Sequence, residues 1–211
     1  MDKFIKHNKY YLITLLILLI VFMITKLYFS DYINKIDISV ANFITKKVVN
    51  NNLTSGIKLL THLGSSVVLI SITLLTLFII KDKGYFMNIS LNLALAFILS
   101  VLYKNFIKRE RPSVNLIKKP SDYSFPSGHT MCSVAFYGFL IYLVNKNIKN
   151  KYIKIALNIL FSLVILIVPF TRIYLGVHYL SDVLMGALLG FISLMMYINY
   201  VEKENILWKK D

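Results

Sequence analysis

Residues 86–103 read FMNISLNLALAFILSVLY, and residues 104–112, directly after them, read KNFIKRERP. The first stretch carries no charge over 18 residues, and the second begins with a lysine and adds three more cations by Arg111. An uncharged run of that length matches the roughly 20 residues a helix needs to cross a hydrocarbon core. Backbone groups in hydrocarbon must pair internally, so such a span is a helix rather than an open strand.

Five more blocks of this kind lie along the chain: Tyr10–Thr25, Gly64–Ile80, Thr130–Val144, Ile155–Phe170 and Val183–Tyr200. The chain has 211 residues, 57% hydrophobic and 16% charged, far less charged than a soluble domain. The sequence therefore predicts an all-α integral membrane protein with six transmembrane helices, folded as one domain over residues 1–211. Asn88, Asn92, Asn158 and Asn199 interrupt the apolar blocks, and helix–helix hydrogen bonds should satisfy such amides. The basic start MDKFIKHNK precedes the first block with no small-residue cleavage site after it, which reads as an uncleaved signal-anchor.

The net charge is +14, but the lysines sit in loops and no soluble basic domain is available to hold nucleic acid. With six spans, both termini share one side, and each side carries 12 Lys/Arg. The short, lysine-dense loop at 145–154 breaks the tie and places the termini in the cytoplasm of a multi-pass cell-membrane protein. In the long first extracytoplasmic loop, Ile33, Ile36, Val40, Phe43, Ile44 and Val48 recur at helical spacing, which predicts an amphipathic helix on the membrane surface. Cys132 is the single cysteine, so an intrachain disulfide is excluded, and its position inside a span reads as a small core residue.

Three clusters carry chemistry, and the span count puts all three at one membrane face. In the first, Lys104 and Arg111 are seven apart and would share a helix face if the helix continued to Pro112. Taken alone, this cluster has its commoner use as a basic interfacial anchor. In the second, Pro126-Ser127-Gly128-His129 opens a span. Proline and serine suit a helix start, but the histidine is unexplained by capping. A helix N-terminus offers free N–H groups to an anion, a glycine allows close approach, and a histidine there can donate a proton. In the third, Thr171 to Asp182, Arg172 closes a helix and Gly176 can turn the chain. His178 and Asp182 are spaced i,i+4, so a carboxylate can hold one imidazole nitrogen and leave the other free to attack. Cations for phosphoryl oxygens, a nucleophile and an acid for the leaving group are the set that phosphoryl transfer needs.

These motifs resemble those of the type 2 phosphatidic acid phosphatase superfamily, whose pattern is K-x6-RP, PSGH and SR-x5-H-x3-D. The chain reads Lys104…Arg111-Pro112, Pro126-Ser127-Gly128-His129 and Thr171-Arg172…His178…Asp182, departing only at Thr171. The motifs fall within residues 104–182, and the six-helix layout extends the likeness over nearly the whole chain.

The resemblance implies that His178 attacks phosphorus to form a phosphohistidine, that Asp182 supports it, and that His129 protonates the leaving oxygen. Lys104, Arg111, Ser127, Gly128 and Arg172 would hold the phosphoryl oxygens. No metal and no cofactor is expected, because acidic residues near the motifs are few and three cations supply the charge instead. The expected partner is a lipid phosphate in the bilayer, such as undecaprenyl diphosphate, phosphatidylglycerophosphate or phosphatidate, with no obligate protein partner. THLGSS at 61–66 is similar to the phosphatidylglycerophosphatase-B-like members. Two other activities fit the same features: a phosphotransferase that passes the phosphoryl group to another lipid, and a lipid or phosphate transporter. Transporters carry broken helices and polar groups at the midplane, whereas these spans are nearly uninterrupted and the charges gather at one surface.

Overall fold

The computed structural model describes residues 31–79, 83–113, 116–118 and 120–203. The block Tyr10–Thr25, with its signal-anchor reading, lies outside them. Among the described residues there is helix and loop and no strand. Helix α1 (Asp31–Phe43) runs into a π turn at Ile44–Val48. Then come α2 (Asn51–Leu60), a 3-10 turn at Thr61–Gly64, α3 (Ser66–Ile79), α4 (Lys83–Ile107), α5 (Gly128–Asn147), α6 (Lys151–Tyr174) and α7 (Leu180–Lys203).

Helices α4, α6 and α7 are long and apolar enough to cross a membrane, and α2 and α3, bent by 51° at the break between them, pass the same test as a pair. Helix α5 has 20 residues, about 30 Å, but holds Thr130, Ser133, Tyr137 and Asn145. It tolerates them because it is the centre of the bundle. Met131, Ala135, Phe136 and Phe139 are almost fully buried between α4, α6 and α7. The outer faces of the neighbours show large apolar side chains instead, including Phe78, Leu102, Leu166 and Leu184. A soluble protein does not expose so much continuous apolar surface.

Three of the four amides in the apolar blocks bond a neighbouring helix, as the sequence leads one to expect. Tyr197 donates to Asn88 Oδ1 at 2.8 Å, Asn92 Nδ2 to the Ala135 carbonyl at 2.9 Å, and Asn158 Nδ2 to Asn145 Oδ1 at 3.0 Å. Helix α7 approaches α5 through Gly186 and Gly190. A Cβ at Gly186 would meet the Ser127 carbonyl oxygen at 2.7 Å, and one at Gly190 the Met131 carbonyl oxygen at 2.6 Å. Two glycines four apart on one face let two helix backbones touch.

Only residues 148–150 separate α5 from α6, so these two helices are antiparallel. Asn150 caps α6, its Oδ1 accepting from the Tyr152 and Ile153 N–H groups. The turn between α6 and α7 rests on Gly176, whose φ is 68°. The C-terminal ends of α4 and α6 and the N-terminal ends of α5 and α7 thereby meet at one end of the bundle.

The first loop carries helix α1, whose exposed side chains include Tyr32, Ile36, Ile38 and Phe43, while Asp37 is buried. Its carboxylate is what docks: Asp37 Oδ1 accepts from the Ser181 N–H at 3.0 Å, at the start of α7. A buried charge needs partners, and they determine which way this helix faces.

Candidate active site

Lys104 occupies the last turn of α4, but the helix stops at Ile107 rather than continuing to Arg111. Lys108 adopts a left-handed conformation, φ 53°, and turns the chain. The shared helix face expected for Lys104 and Arg111 is therefore not what unites them. The loop folds back, and Asp122 bridges them, its Oδ2 3.0 Å from Lys104 Nζ and its Oδ1 2.7 Å from Arg111 Nη2. Lys104 also donates to the Tyr123 carbonyl, and Arg111 Nε to the Asp122 carbonyl at 2.9 Å.

His178 lies just before α7 and is buried. Its Nδ1 is 3.5 Å from Asp182 Oδ2, and its Nε2 is 3.1 Å from Arg111 Nη1. A guanidinium can only donate, so Nε2 must be the accepting nitrogen and the ring proton sits on Nδ1, toward Asp182. This is the tautomer a nucleophilic imidazole requires, with its lone pair on Nε2 among the cations. Burial pushes the His178 pKa down, Asp182 pulls it up, and Arg111 and Arg172 push it down again, leaving it at about 4. The ring is neutral at pH 7.

Asp182 is fully buried and saturated with donors. Its Oδ2 accepts from Ser124 Oγ and from the Tyr179 N–H at 2.8 Å, and its Oδ1 from Arg109 Nη1 at 2.6 Å. The contact to Tyr179 is also half of a capping box, since Asp182 is the third residue of α7 reaching back to the cap N–H. Helix start and site geometry thus use one side chain.

Ser127 and Gly128 form the turn into α5. The Ser127 Oγ accepts from Thr130 Oγ1 at 2.9 Å and caps the helix, and its N–H donates to the Asp182 carbonyl at 3.0 Å. A Cβ on Gly128 would lie 3.1 Å from Ser100 Oγ and 3.7 Å from Lys104 Cε, so the backbone comes close to the lysine. His129, one residue on, stands in the first turn of α5 and lines the same cavity as Lys104 and Asp122.

Arg172 is buried at the end of α6. Its Nη1 donates to Thr61 Oγ1 at 2.7 Å, while its Nε has no hydrogen-bond partner among the described residues. Nor does Arg172 join any ion pair among them. A buried cation with an unused donor suits an anion. Thr171, where the motif pattern has serine, places its hydroxyl 2.9 Å from Thr61 Oγ1 and keeps a hydroxyl's bond.

The sequence reading passed over several residues that the fold brings here. Arg109 donates to Asp182, to Asp37 Oδ2 at 2.6 Å, to Ser181 Oγ at 2.7 Å and to Asn34 Oδ1 at 3.2 Å, and it lies over the Tyr179 ring at 4.2 Å. Ser124 bonds Asp182, and Thr61 holds Arg172. Spacing could not reveal Asp37, which is 72 residues from Arg109. Tyr174, the last residue of α6, is buried, its hydroxyl meeting the Asn50 N–H at 3.0 Å and Thr54 Oγ1 at 3.1 Å.

A cavity of about 710 Å³ opens between α3 and α4 and ends at this cluster. Leu69, Leu93 and Phe97 line its apolar part, and Lys104, Asp122, Gly128 and His129 its polar end.

Comparisons with known proteins identify the relatives of this chain. The PAP2 superfamily model matches residues 85–206. Phosphatidylglycerophosphatase B of Bacillus subtilis (strain 168) is 31% identical over 176 residues, covering 79% of this chain and 82% of that protein. Undecaprenyl-diphosphatase of Sulfolobus acidocaldarius is 30% identical over 191 residues, 86% of each chain. The crystal structure of a transmembrane PAP2 type phosphatidylglycerolphosphate phosphatase from Bacillus subtilis superposes with a TM-score of 0.78 at 24% identity, covering 94% of this chain and 97% of that one. With the family model spanning more than half its length and relatives matched over most of theirs, this chain belongs to the PAP2 superfamily.

Proposed function

We propose that this chain hydrolyses a phosphate or diphosphate monoester of a lipid through a phosphohistidine on His178. The observation that carries the reading is the His178 Nε2, held in its accepting form among buried cations, one of which, Arg172, has an unused N–H. The substrate phosphoryl group would sit between Lys104, Arg111, Arg172 and the Ser127–Gly128 turn. The Nε2 lone pair forms the N–P bond to the terminal phosphorus while its bond to the leaving oxygen breaks, the lipid oxygen of a monophosphate or the bridging oxygen of a diphosphate, and His129 delivers a proton to that oxygen. Water, deprotonated by His129, then attacks phosphorus, the N–P bond breaks, and phosphate leaves. Asp182 holds the Nδ1 proton and stabilises the charge that develops on the ring.

The cavity supports a lipid. Its walls are apolar and lie on the helix faces that carry exposed hydrophobic side chains, so an acyl or prenyl tail can remain in the bilayer while the head reaches His129. Relatives named for phosphatidylglycerophosphate and undecaprenyl diphosphate fit this substrate class. Six spans, with cytoplasmic termini and the site on the extracytoplasmic face, follow from the apolar blocks and the lysine-dense 145–154 loop.

The test is phosphate release by the purified full chain in detergent with chelator present, comparing undecaprenyl diphosphate, phosphatidylglycerophosphate and phosphatidate. Wild type should turn over at least one of them, and His178→Ala should fall to background. Near-normal turnover by that variant would overturn the assignment.

A further inference from the structure

Asp122 is not among the motif residues, yet its carboxylate occupies the donors of two of the three cations. It bonds Lys104 Nζ at 3.0 Å and Arg111 Nη2 at 2.7 Å. The cations are buried, whereas the Asp122 side chain is 53% exposed at the polar end of the cavity. Burial would raise its pKa, but Lys104 and Arg111 together hold it below the ordinary carboxylate value, so it is ionised and cannot serve as a proton donor. Two oxygens on a lysine and an arginine are what a phosphoryl group would also present. Arg172 makes no ion pair with Asp122 or any other described carboxylate, so one cation stays available for an incoming anion.

We propose that Asp122 determines specificity by competing, as a tethered anion, with the substrate's phosphoryl group for Lys104 and Arg111. The proposal rests on the phosphoryl-binding reading of the site. A phosphodiester head group carries a single negative charge, no more than the carboxylate it would have to displace, and it lacks the tether's high effective concentration. A terminal phosphate carries about −1.5 to −2 at pH 7 and presents three oxygens. It first engages Arg172, then displaces Asp122 toward solvent, and Arg111 turns its Nη groups from Asp122 and His178 onto the phosphoryl oxygens. The exchange also uncovers the Nε2 lone pair. A cation cluster at the end of a lipid-sized cavity would otherwise be occupied by the diester lipids that make up the surrounding leaflet.

The experiment uses the purified full chain in mixed micelles, with wild type, Asp122→Asn and Asp122→Glu. Two quantities are read: the inhibition constant of inorganic phosphate, and the KM for a lipid phosphate monoester diluted in phosphatidylcholine or in phosphatidylglycerol. D122N should bind inorganic phosphate roughly tenfold more tightly, the scale of losing competing charge contacts. Phosphatidylglycerol should inhibit D122N competitively while leaving wild type and D122E with the same KM in both lipids. Unchanged or weaker phosphate binding by D122N would overturn the proposal, because Asp122 would then merely orient the cations. Equal inhibition of wild type and D122N by phosphatidylglycerol would overturn it as well. If wild type releases phosphate from no lipid monoester, the functional reading fails, and calorimetric titration of the same three proteins with inorganic phosphate still decides the role of Asp122.

Discussion

His178 is neutral because it is buried beside two arginines, and this has a measurable consequence. A base with its pKa near 4 stays competent well below the ordinary histidine value of 6.5. Protonation removes the attacking lone pair, so activity is present above the folded pKa and lost as pH falls through it. The acid limb of kcat/KM, corrected for the substrate's second ionisation, should lie near pH 4 to 5, and a limb at 6.5 would contradict the environment described. Asp182→Asn leaves the ring without its carboxylate and should lower kcat by about 10³- to 10⁴-fold, as measured by phosphate release. Arg109 acts one step further out, between Asp182 and Asp37. Arg109→Ala strands two buried carboxylates and should cost about 3–5 kcal/mol in detergent unfolding. Combining it with Asp37→Asn should cost less than the sum of the single changes, and strict additivity would rule out the coupling. The i,i+4 spacing made the His178–Asp182 pair legible in the sequence. Nothing local marked Arg109, since it sits beside other cations and its partners are distant in the chain.

The helix ends bring the three motifs together, and here sequence reasoning succeeded and failed for identifiable reasons. Apolar blocks located the helices α3 to α7 within a few residues, because an uninterrupted apolar run leaves few alternatives. Their polar ends were harder. The helix ends at Ile107, short of Arg111, because Lys108 is a non-glycine residue with positive φ that no propensity rule flags. The first-loop helix was legible from its period, but its orientation was not, because Asp37 is drawn inward by Arg109 and Ser181. The contact of α7 with the Ser127 turn gives a further expectation at this scale. Gly186→Ala would place a methyl 2.7 Å from a backbone oxygen and push the start of α7, with Asp182, away from α5. We expect a loss of about 1–3 kcal/mol in stability together with reduced kcat, read by thermal unfolding and turnover. Unchanged stability and turnover would mean the two backbones have room that the structure does not show.

At the scale of the whole molecule, an antiparallel bundle places helix ends of alternating sense on one face, so motif residues as distant in the chain as Lys104 and Asp182, 78 positions apart, reach one cluster. The apolar cavity between α3 and α4 leads the outside of the bundle to that cluster. The central claim is that the phosphoryl group passes through His178. It is tested most directly by mixing enzyme with a lipid phosphate monoester, quenching within the first turnovers into alkali, which preserves phosphohistidine, and mapping the adduct by mass spectrometry. A phosphoryl group on His178 in wild type, forming more slowly in His129→Ala and absent from His178→Asn, is the predicted result. Turnover with no adduct at His178, or with an adduct on another residue, would contradict the account.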